Sequence, residues 1–479
     1  MFHLKKFTAR CFQVLAFGII HLATVSCQAQ LPVRLALETH QPAVKMPADF
    51  LGLSFEMQRV LADTNGNYFF SPTNRALIAT FRTLGIKNLR VGGNTADRPT
   101  VPTPSRADVD HLFAFAKEAD VKVIYTLRLN HGDIESVVKM ADYISRHYKK
   151  QLDSFAIGNE PNVFSTNYEF YISEWKRYAA AITGPTNVPD AMFCGPGVSP
   201  GHEKWSARFA ADLAGDRHVA FISQHDYPGG DARKVTNAVA ACDRILAPEM
   251  DEHYAKFTAN FLPAVHSNGF TCRFEEANSF YDGGALDVSD TFASALWALN
   301  FQWWLAAHGV SGINFHTGDK VAARDENKPC LYATFWTSAR GYNVHPIGYA
   351  EKMFALGCRG ILMDVAIENA HGLNMAAYAV DDNKNFFITI LNREHGPAAR
   401  AAQIKLATGV PFNSGRIMFL TTSTGDVSTK TGITLGDATI GDDATWTGKW
   451  TSLPQADASG DFTFTLPAAS AALINFSAQ

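Results

Sequence analysis

Eight short apolar runs recur between residues 50 and 315, separated by stretches of helical periodicity, and they leave the chain few ways to fold. They are Phe50–Phe55, Asn88–Val91, Val121–Leu127, Phe155–Ile157, Ala191–Cys194, Ala220–Ser223, Cys272–Glu275 and Gly312–Phe315. Among the intervening stretches, Ser105 to Asp120 offers Ser105 as an N-cap. Its apolar residues at Val109, Leu112, Phe113, Phe115 and Ala116 have the spacing of an amphipathic helix. Tyr168–Ile182, Met250–Ala264 and Thr291–His308 read the same way. The last is apolar nearly all round, which predicts a helix covered on every side. Eight strand–helix alternations predict an α/β fold, a closed (β/α)8 TIM barrel over residues 48–357. An open doubly wound sheet is disfavoured, because no Gly-x-Gly-x-x-Gly follows the first strand and Gly92-Gly93 alone is too short a motif.

After Gly357 the texture changes. Residues 360–479 are rich in Thr, Ser, Gly, Asp and Ala and carry short alternating runs such as Phe386–Leu391, Arg416–Leu420 and Asp461–Leu466. This predicts a C-terminal antiparallel β-sandwich. Val33–Leu37, ahead of the barrel, also reads as a strand and is expected to join it, so the second domain comprises residues 30–47 plus 358–479.

The first 29 residues read as a signal peptide: Lys5, Lys6 and Arg10 precede a largely apolar stretch that ends in small and polar residues near Ala29. Cys27 offers a lipid anchor as an alternative, although Thr24-Val25-Ser26 matches a Leu-rich lipobox poorly. An exported protein, periplasmic or secreted, is expected, with no membrane span in its mature form. Without the leader, 39 basic residues face 46 acidic ones, a net charge of −7 with no basic stripe, which argues against a nucleic-acid partner. The five remaining cysteines (Cys194, Cys242, Cys272, Cys330 and Cys358) are odd in number and widely spaced. At least one cannot pair within the chain, and most are expected to be small buried hydrophobes. No His-Glu-x-x-His or Cys-x-x-Cys spacing occurs, so neither a metal nor another cofactor is expected.

Chemistry concentrates at two strand ends. Gly158-Asn159-Glu160-Pro161 follows the fourth barrel strand, and Glu275-Glu276 closes the seventh, with Glu276 116 residues after Glu160. Ionisable groups at the mouths of core strands are rare unless chemistry needs them. In a barrel, strands four and seven face each other across the mouth, so two carboxyl groups can flank one glycosidic bond. One then protonates the leaving oxygen and the other attacks the anomeric carbon. Asn159 is a neutral donor suited to a sugar hydroxyl beside that carbon. Strand alternation turns only one of Glu275 and Glu276 inward, and parity alone leaves open which. No Gly-x-Ser-x-Gly elbow supports serine hydrolysis.

Ala156–Asn162 and Phe274–Gly284 resemble the acid/base and nucleophile segments of glycoside hydrolase family 79, the β-glucuronidases and heparanases of the retaining clan A barrels. The likeness extends over most of residues 33–470. Asn-Glu-Pro is common to the clan, whereas the Glu276-to-Gly284 segment is more particular to the family. The resemblance implies that Glu160 is the general acid/base and Glu276 the nucleophile, with Glu275 pointing away. It implies that Tyr281 and the Gly283 backbone hold a glucuronate carboxylate, with Tyr332 as a second tyrosine. Glu56 and Asp97 match positions that bind outer hydroxyls, and Tyr227 matches an aromatic that donates to the nucleophile. His225, next to Asp226, suggests a proton relay. Plainer readings exist: packing for Tyr281, rim salt bridges for Glu56 and Asp97.

The expectation is a retaining exo-β-D-glucuronidase that removes terminal β-linked glucuronic acid from a carbohydrate by double displacement. The alternatives are a heparanase-like endo enzyme, another clan A glycosidase such as a β-xylosidase or β-glucosidase, and a non-catalytic carbohydrate-binding barrel.

Overall fold

A computed structural model describes residues 31–38, 44–185, 187–321, 325–409, 412 and 414–477. The expected signal segment and Cys27 lie outside these residues. Strand β1 (Leu31–Glu38) comes first, and then a closed parallel barrel. The barrel comprises β2 (Leu51–Glu56), β3 (Asn88–Gly92), β4 (Lys122–Leu127), β5 (Leu152–Ile157), β6 (Phe193–Val198), β7 (Val219–Asp226), β8 (Cys272–Ala277) and β9 (Val310–His316). All eight apolar runs of the sequence are barrel strands. Two hairpins follow at the rim, β10 (Lys320–Val321) with β11 (Asp325–Pro329) and β12 (Phe335–Ser338) with β13 (Gly341–Val344).

Helices form where periodicity and caps agree. Arg106–Ala119 starts from Ser105 with a reciprocal capping box: the Ser105 hydroxyl accepts from the Asp108 N–H, and the Asp108 carboxylate accepts from the Ser105 N–H. The expected helix 250–264 is instead two, Glu249–Thr258 and Leu262–Ser267. Pro263 explains the break, since it has no N–H for residue 259 and its ring would collide with that carbonyl. The all-round apolar helix is Phe292–Ala307, buried from Phe292 to Ala306. It packs between β9 and the terminal sheet, where Trp303 stacks on Tyr378 at 5.7 Å and Asn300 accepts from the Tyr378 hydroxyl.

The C-terminal strands and β1 form a ten-stranded sheet that folds over on itself as a sandwich. Its two halves share a core that includes Val33, Leu35, Ile388, Ile404, Phe462 and Ile474. The expected N-terminal strand does join it, but the sheet is mixed rather than purely antiparallel. β1 runs antiparallel to Ile361–Glu368 and parallel to Ala402–Ala407. A strand that enters from far away in sequence is not bound by the short hairpin connections that keep its neighbours antiparallel. The five cysteines are all unpaired, and no helix among the described residues is long and apolar enough to cross a membrane.

Glu351, on the helix Pro346–Gly357, is fully buried and accepts from the Thr334 hydroxyl at 2.8 Å. Burial pushes its carboxyl up to about 8, with the Thr334 hydrogen bond working the other way. The folded protein therefore keeps a proton that the unfolded chain loses above its ordinary value of 4.5, so this group costs stability as pH rises from 4.5 toward 8. Glu351→Gln removes the ionisation while leaving its own amide hydrogens without a partner. It is expected to stabilise the protein by about 1–2 kcal/mol at pH 8 and to gain nothing at pH 5, read as melting temperatures at the two pH values.

Candidate active site

The turn after β5 is wound tightly. Gly158 has φ +82° and Glu160 has φ +45°, ψ +60°, a left-handed conformation costly for a side chain with a Cβ. The Glu160 N–H donates to the Gly197 carbonyl at 3.1 Å, and Pro161 opens a short helical turn to Val163. This geometry turns the Glu160 carboxylate over the barrel mouth. Asp97 supports the turn from beneath: its two oxygens accept from the N–H groups of Leu129, Asn130 and Asn159 at 2.7–2.9 Å.

Across the barrel, β8 breaks register with β7: Gln224 pairs with Phe274 but His225 pairs with Glu276. Glu275 is the extra residue of a bulge, where strict alternation of side chains is lost. The expectation that only one of Glu275 and Glu276 faces inward is therefore wrong, and Glu275 does not point away. It is 1% exposed, accepts from the Ser223 hydroxyl at 2.7 Å, and lies 3.7 Å from His225 Nε2.

Glu160 and Glu276 line one cavity of about 360 Å³. One oxygen from each carboxylate and one nitrogen of His225 lie within 4.8 Å of one another. Arg90, fully buried in mid-β3, donates to Glu276 Oε2 at 2.7 Å and to Asn159 Oδ1 at 2.6 Å. The Tyr227 hydroxyl donates to Glu276 Oε1 at 2.8 Å. Burial alone would raise the Glu276 carboxyl, but His316, His225 and Arg90, with the Tyr227 hydrogen bond, hold it far below the usual carboxylate range. Glu276 is thus an ionised, aimed carboxylate. Burial works against charging His225, yet Glu276, Glu160 and Glu275 around it push the imidazole up to about 9.

Of the residues singled out from sequence, Glu56, Glu160, Tyr227, Glu276, Tyr281, Gly283 and Tyr332 all line the cavity. Tyr227 lies 6.2 Å from Tyr281 and 6.1 Å from Tyr332, ring centre to ring centre, so the three phenols form one wall. Gly283 has φ +85°, and a Cβ there would fall 2.2 Å from Val321 of β10. Only glycine lets the rim hairpin close on this backbone. Three residues stand elsewhere. Asp97 is 8% exposed and occupied by backbone N–H groups, so it shapes the turn instead of facing a sugar. His225 lies wholly buried under the cavity, with Nδ1 3.1 Å from Glu160 Oε1. Asn159 is 5% exposed, and its carbonyl is engaged by Arg90, leaving its amide NH2 as the donor side. His225 pairs with Glu160 and Glu275 rather than with its neighbour Asp226, whose Oδ2 has no hydrogen-bond partner.

The sequence reading missed Arg90 and His316. His316 ends β9 with Nδ1 3.2 Å from Ser54 Oγ and 3.9 Å from Glu276, and Nε2 3.8 Å from Glu56. Arg90→Met is expected to leave buried Glu276 without its guanidinium partner, costing about 3–5 kcal/mol of stability and shifting the acid limb of any Glu276-dependent activity upward. Chemical denaturation together with a pH–rate profile checks both. Arg90 and Tyr227 hold the two Glu276 oxygens and His225 contacts Glu160 Oε1, so a metal at Glu160, His225 and Glu276 would compete with these contacts.

No family model matches the chain. Two curated relatives are β-glucuronidases. One, from Neurospora crassa, is 24% identical over 191 residues, 35% of this chain and 34% of the relative. The other, from Aspergillus niger, is 20% identical over 273 residues, 48% of this chain and 50% of the relative. The matched regions thus span half or less of these relatives. Among solved structures, a 4-O-α-L-rhamnosyl-β-D-glucuronidase from Fusarium oxysporum superimposes with TM-score 0.70 at 17% identity, covering 93% of this chain and all of that one. A family 51 arabinofuranosidase from Xanthomonas axonopodis pv. citri gives 0.68 at 15%, covering 94% and 100%. The fold is that of the clan A barrel glycosidases with an appended sandwich. The chain's likeness to the β-glucuronidases among them holds at low identity.

Proposed function

We propose that the chain is an exported, retaining exo-β-D-glucuronidase that hydrolyses terminal β-linked glucuronic acid from a carbohydrate. The observation that carries this reading is the meeting of Glu160 and Glu276 in one cavity, with oxygens within 4.8 Å. Carboxyl pairs about 5 Å apart suit direct attack and retention, whereas inversion needs room for a water between them. Glu276, kept ionised by Arg90 and aimed by Tyr227, attacks the anomeric carbon while Glu160 protonates the departing oxygen. Glu160 then takes a proton from water, which releases glucuronate from the Glu276 ester. The carboxylate of the sugar rests against Tyr281, Gly283 and Tyr332, where Lys320 also lines the wall, and Glu56 accepts from a ring hydroxyl. The curated β-glucuronidase relatives support the same substrate class.

A second reading has one observation in its favour. A larger cavity of about 560 Å³ shares Glu56, Thr317 and Lys320 with the first and extends past Arg59, which is paired with Asp319; this added length would suit the longer chain of an endo-acting enzyme. Hydrolysis of aryl β-D-glucuronide, glucoside, galactoside and xyloside tests the proposal. Preference for the glucuronide supports it. Equal cleavage of a neutral sugar removes the carboxylate pocket, and cleavage of polymer alone selects the endo reading.

A further inference from the structure

We propose that Glu275, the extra residue of the β8 bulge, is a positioning residue for the acid/base: from beneath His225 it holds that ring as an imidazolium whose Nδ1–H stays on Glu160. The inference rests on the reading of Glu160 and Glu276 given above. Space for Glu275 is built into β6. Gly197 has φ +59°, and a Cβ there would lie 2.4 Å from Glu275 Oε1, while its carbonyl holds the Glu160 N–H. The same glycine thus admits the lower carboxylate and anchors the upper one. Glu275 Oε1 is fixed by the Ser223 hydroxyl at 2.7 Å, and Oε2 lies 3.6 Å from the Cys194 thiol. His225 Nε2 has no hydrogen-bond partner and is wholly buried, with Glu275 Oε1 at 3.7 Å as its counter-charge.

Charge balance gives this contact its role. His225 is faced by Glu160 from the β5 turn and by Glu275 and Glu276 from β8, and Glu276 in turn by Arg90 of β3 at 2.7 Å and His316 of β9 at 3.9 Å. Cys194 of β6, Tyr171 of the helix Tyr168–Ile182 and Tyr227 of its own β7 end are neutral here, since burial pushes each well above its ordinary value. Three carboxylates thus surround His225, while Arg90 pairs directly with only one of them, Glu276. Once Glu276 becomes an ester its charge is gone, and Glu160 changes state in each half-reaction. Glu275 alone keeps its charge throughout, so it is the constant partner of His225.

The test reads His225 directly. Imidazole ¹⁵N shifts of histidine-labelled protein, assigned against His225→Asn, are followed from pH 6 to 10 in wild type, Glu275→Gln and Glu275→Asp. The imidazolium of wild type should persist beyond pH 8. In Glu275→Gln its midpoint should fall by about one to two pH units, the effect of losing an opposite charge at this range. The alkaline limb of kcat/KM should fall with it, KM should change little, and Glu275→Asp should recover part of the shift. A folded Glu275→Gln with an unchanged His225 midpoint overturns the proposal, as does a wild-type ring already neutral at pH 7. Should Glu275→Gln not fold, Glu275→Asp decides by the same criterion, a lowered midpoint supporting and an unchanged one overturning. If wild type cleaves no glucuronide, the functional reading fails, yet the imidazole shifts still judge the role of Glu275.

Discussion

Glu276→Gln is expected to lower kcat/KM on an aryl β-D-glucuronide by at least about 10⁴-fold while leaving the fold intact. Glutamine keeps the shape of the side chain: its carbonyl oxygen can accept from Arg90 while its NH2 donates to the Tyr227 hydroxyl oxygen. What it lacks is the charge and the nucleophilic oxygen pair. Because Arg90, His225 and His316 all favour the ionised form of this carboxylate, the variant also removes an anion that its surroundings are built around. His225 should then titrate at lower pH than in wild type. Steady-state kinetics with a melting curve separate the two effects. A variant that retains a tenth or more of wild-type activity would contradict the assignment.

Glu160→Ala is expected to behave differently. General acid–base assistance is worth about 10²–10⁴-fold, and its worth depends on how poor the leaving group is. On an activated nitrophenol the first step needs little acid, so the glycosyl-enzyme should form in a burst and stall, because nothing activates water. Azide, which needs no base, should restore turnover and yield the β-glycosyl azide. On an alkyl glucuronide the loss should be near the upper end of that range and azide should not help. Equal losses on both substrates would argue that Glu160 binds sugar without transferring protons.

Much of this site was legible because ionisable residues at the ends of apolar runs are conspicuous. Glu56, Glu160 and Glu276 stood out for that reason, and the barrel count then implied that they converge. Arg90 carries a related signal, a charge inside the run Asn88–Val91, but it sits in mid-strand, where a strand-end criterion does not reach it. His316 lies one residue beyond the apolar run that marked its strand. The fate of Glu275 was out of reach for a different reason: alternation predicts side-chain direction only where the ladder is regular, and a bulge leaves no composition mark of its own. Asp97 misled in the opposite sense. It sits after a barrel strand like a ligand-binding acid, but it does not line the cavity, and three backbone N–H groups bond its oxygens, a demand set by loop conformation that sequence does not display. The split helix at Leu262–Ser267, by contrast, was signalled in full by Pro263.

The most direct test is to identify the residue that becomes covalently bound to the sugar. A 2-deoxy-2-fluoro-β-D-glucuronyl fluoride couples a good leaving group to a fluorine that slows both steps, so a glycosyl-enzyme should accumulate. Intact mass should rise by one sugar residue, and fragmentation of the peptide holding Glu275 and Glu276 should place the ester on Glu276. A fluorosugar attached to Glu275 or Glu160, or an enzyme that hydrolyses glucuronides with no adduct ever detected, would contradict the double displacement proposed for this cavity.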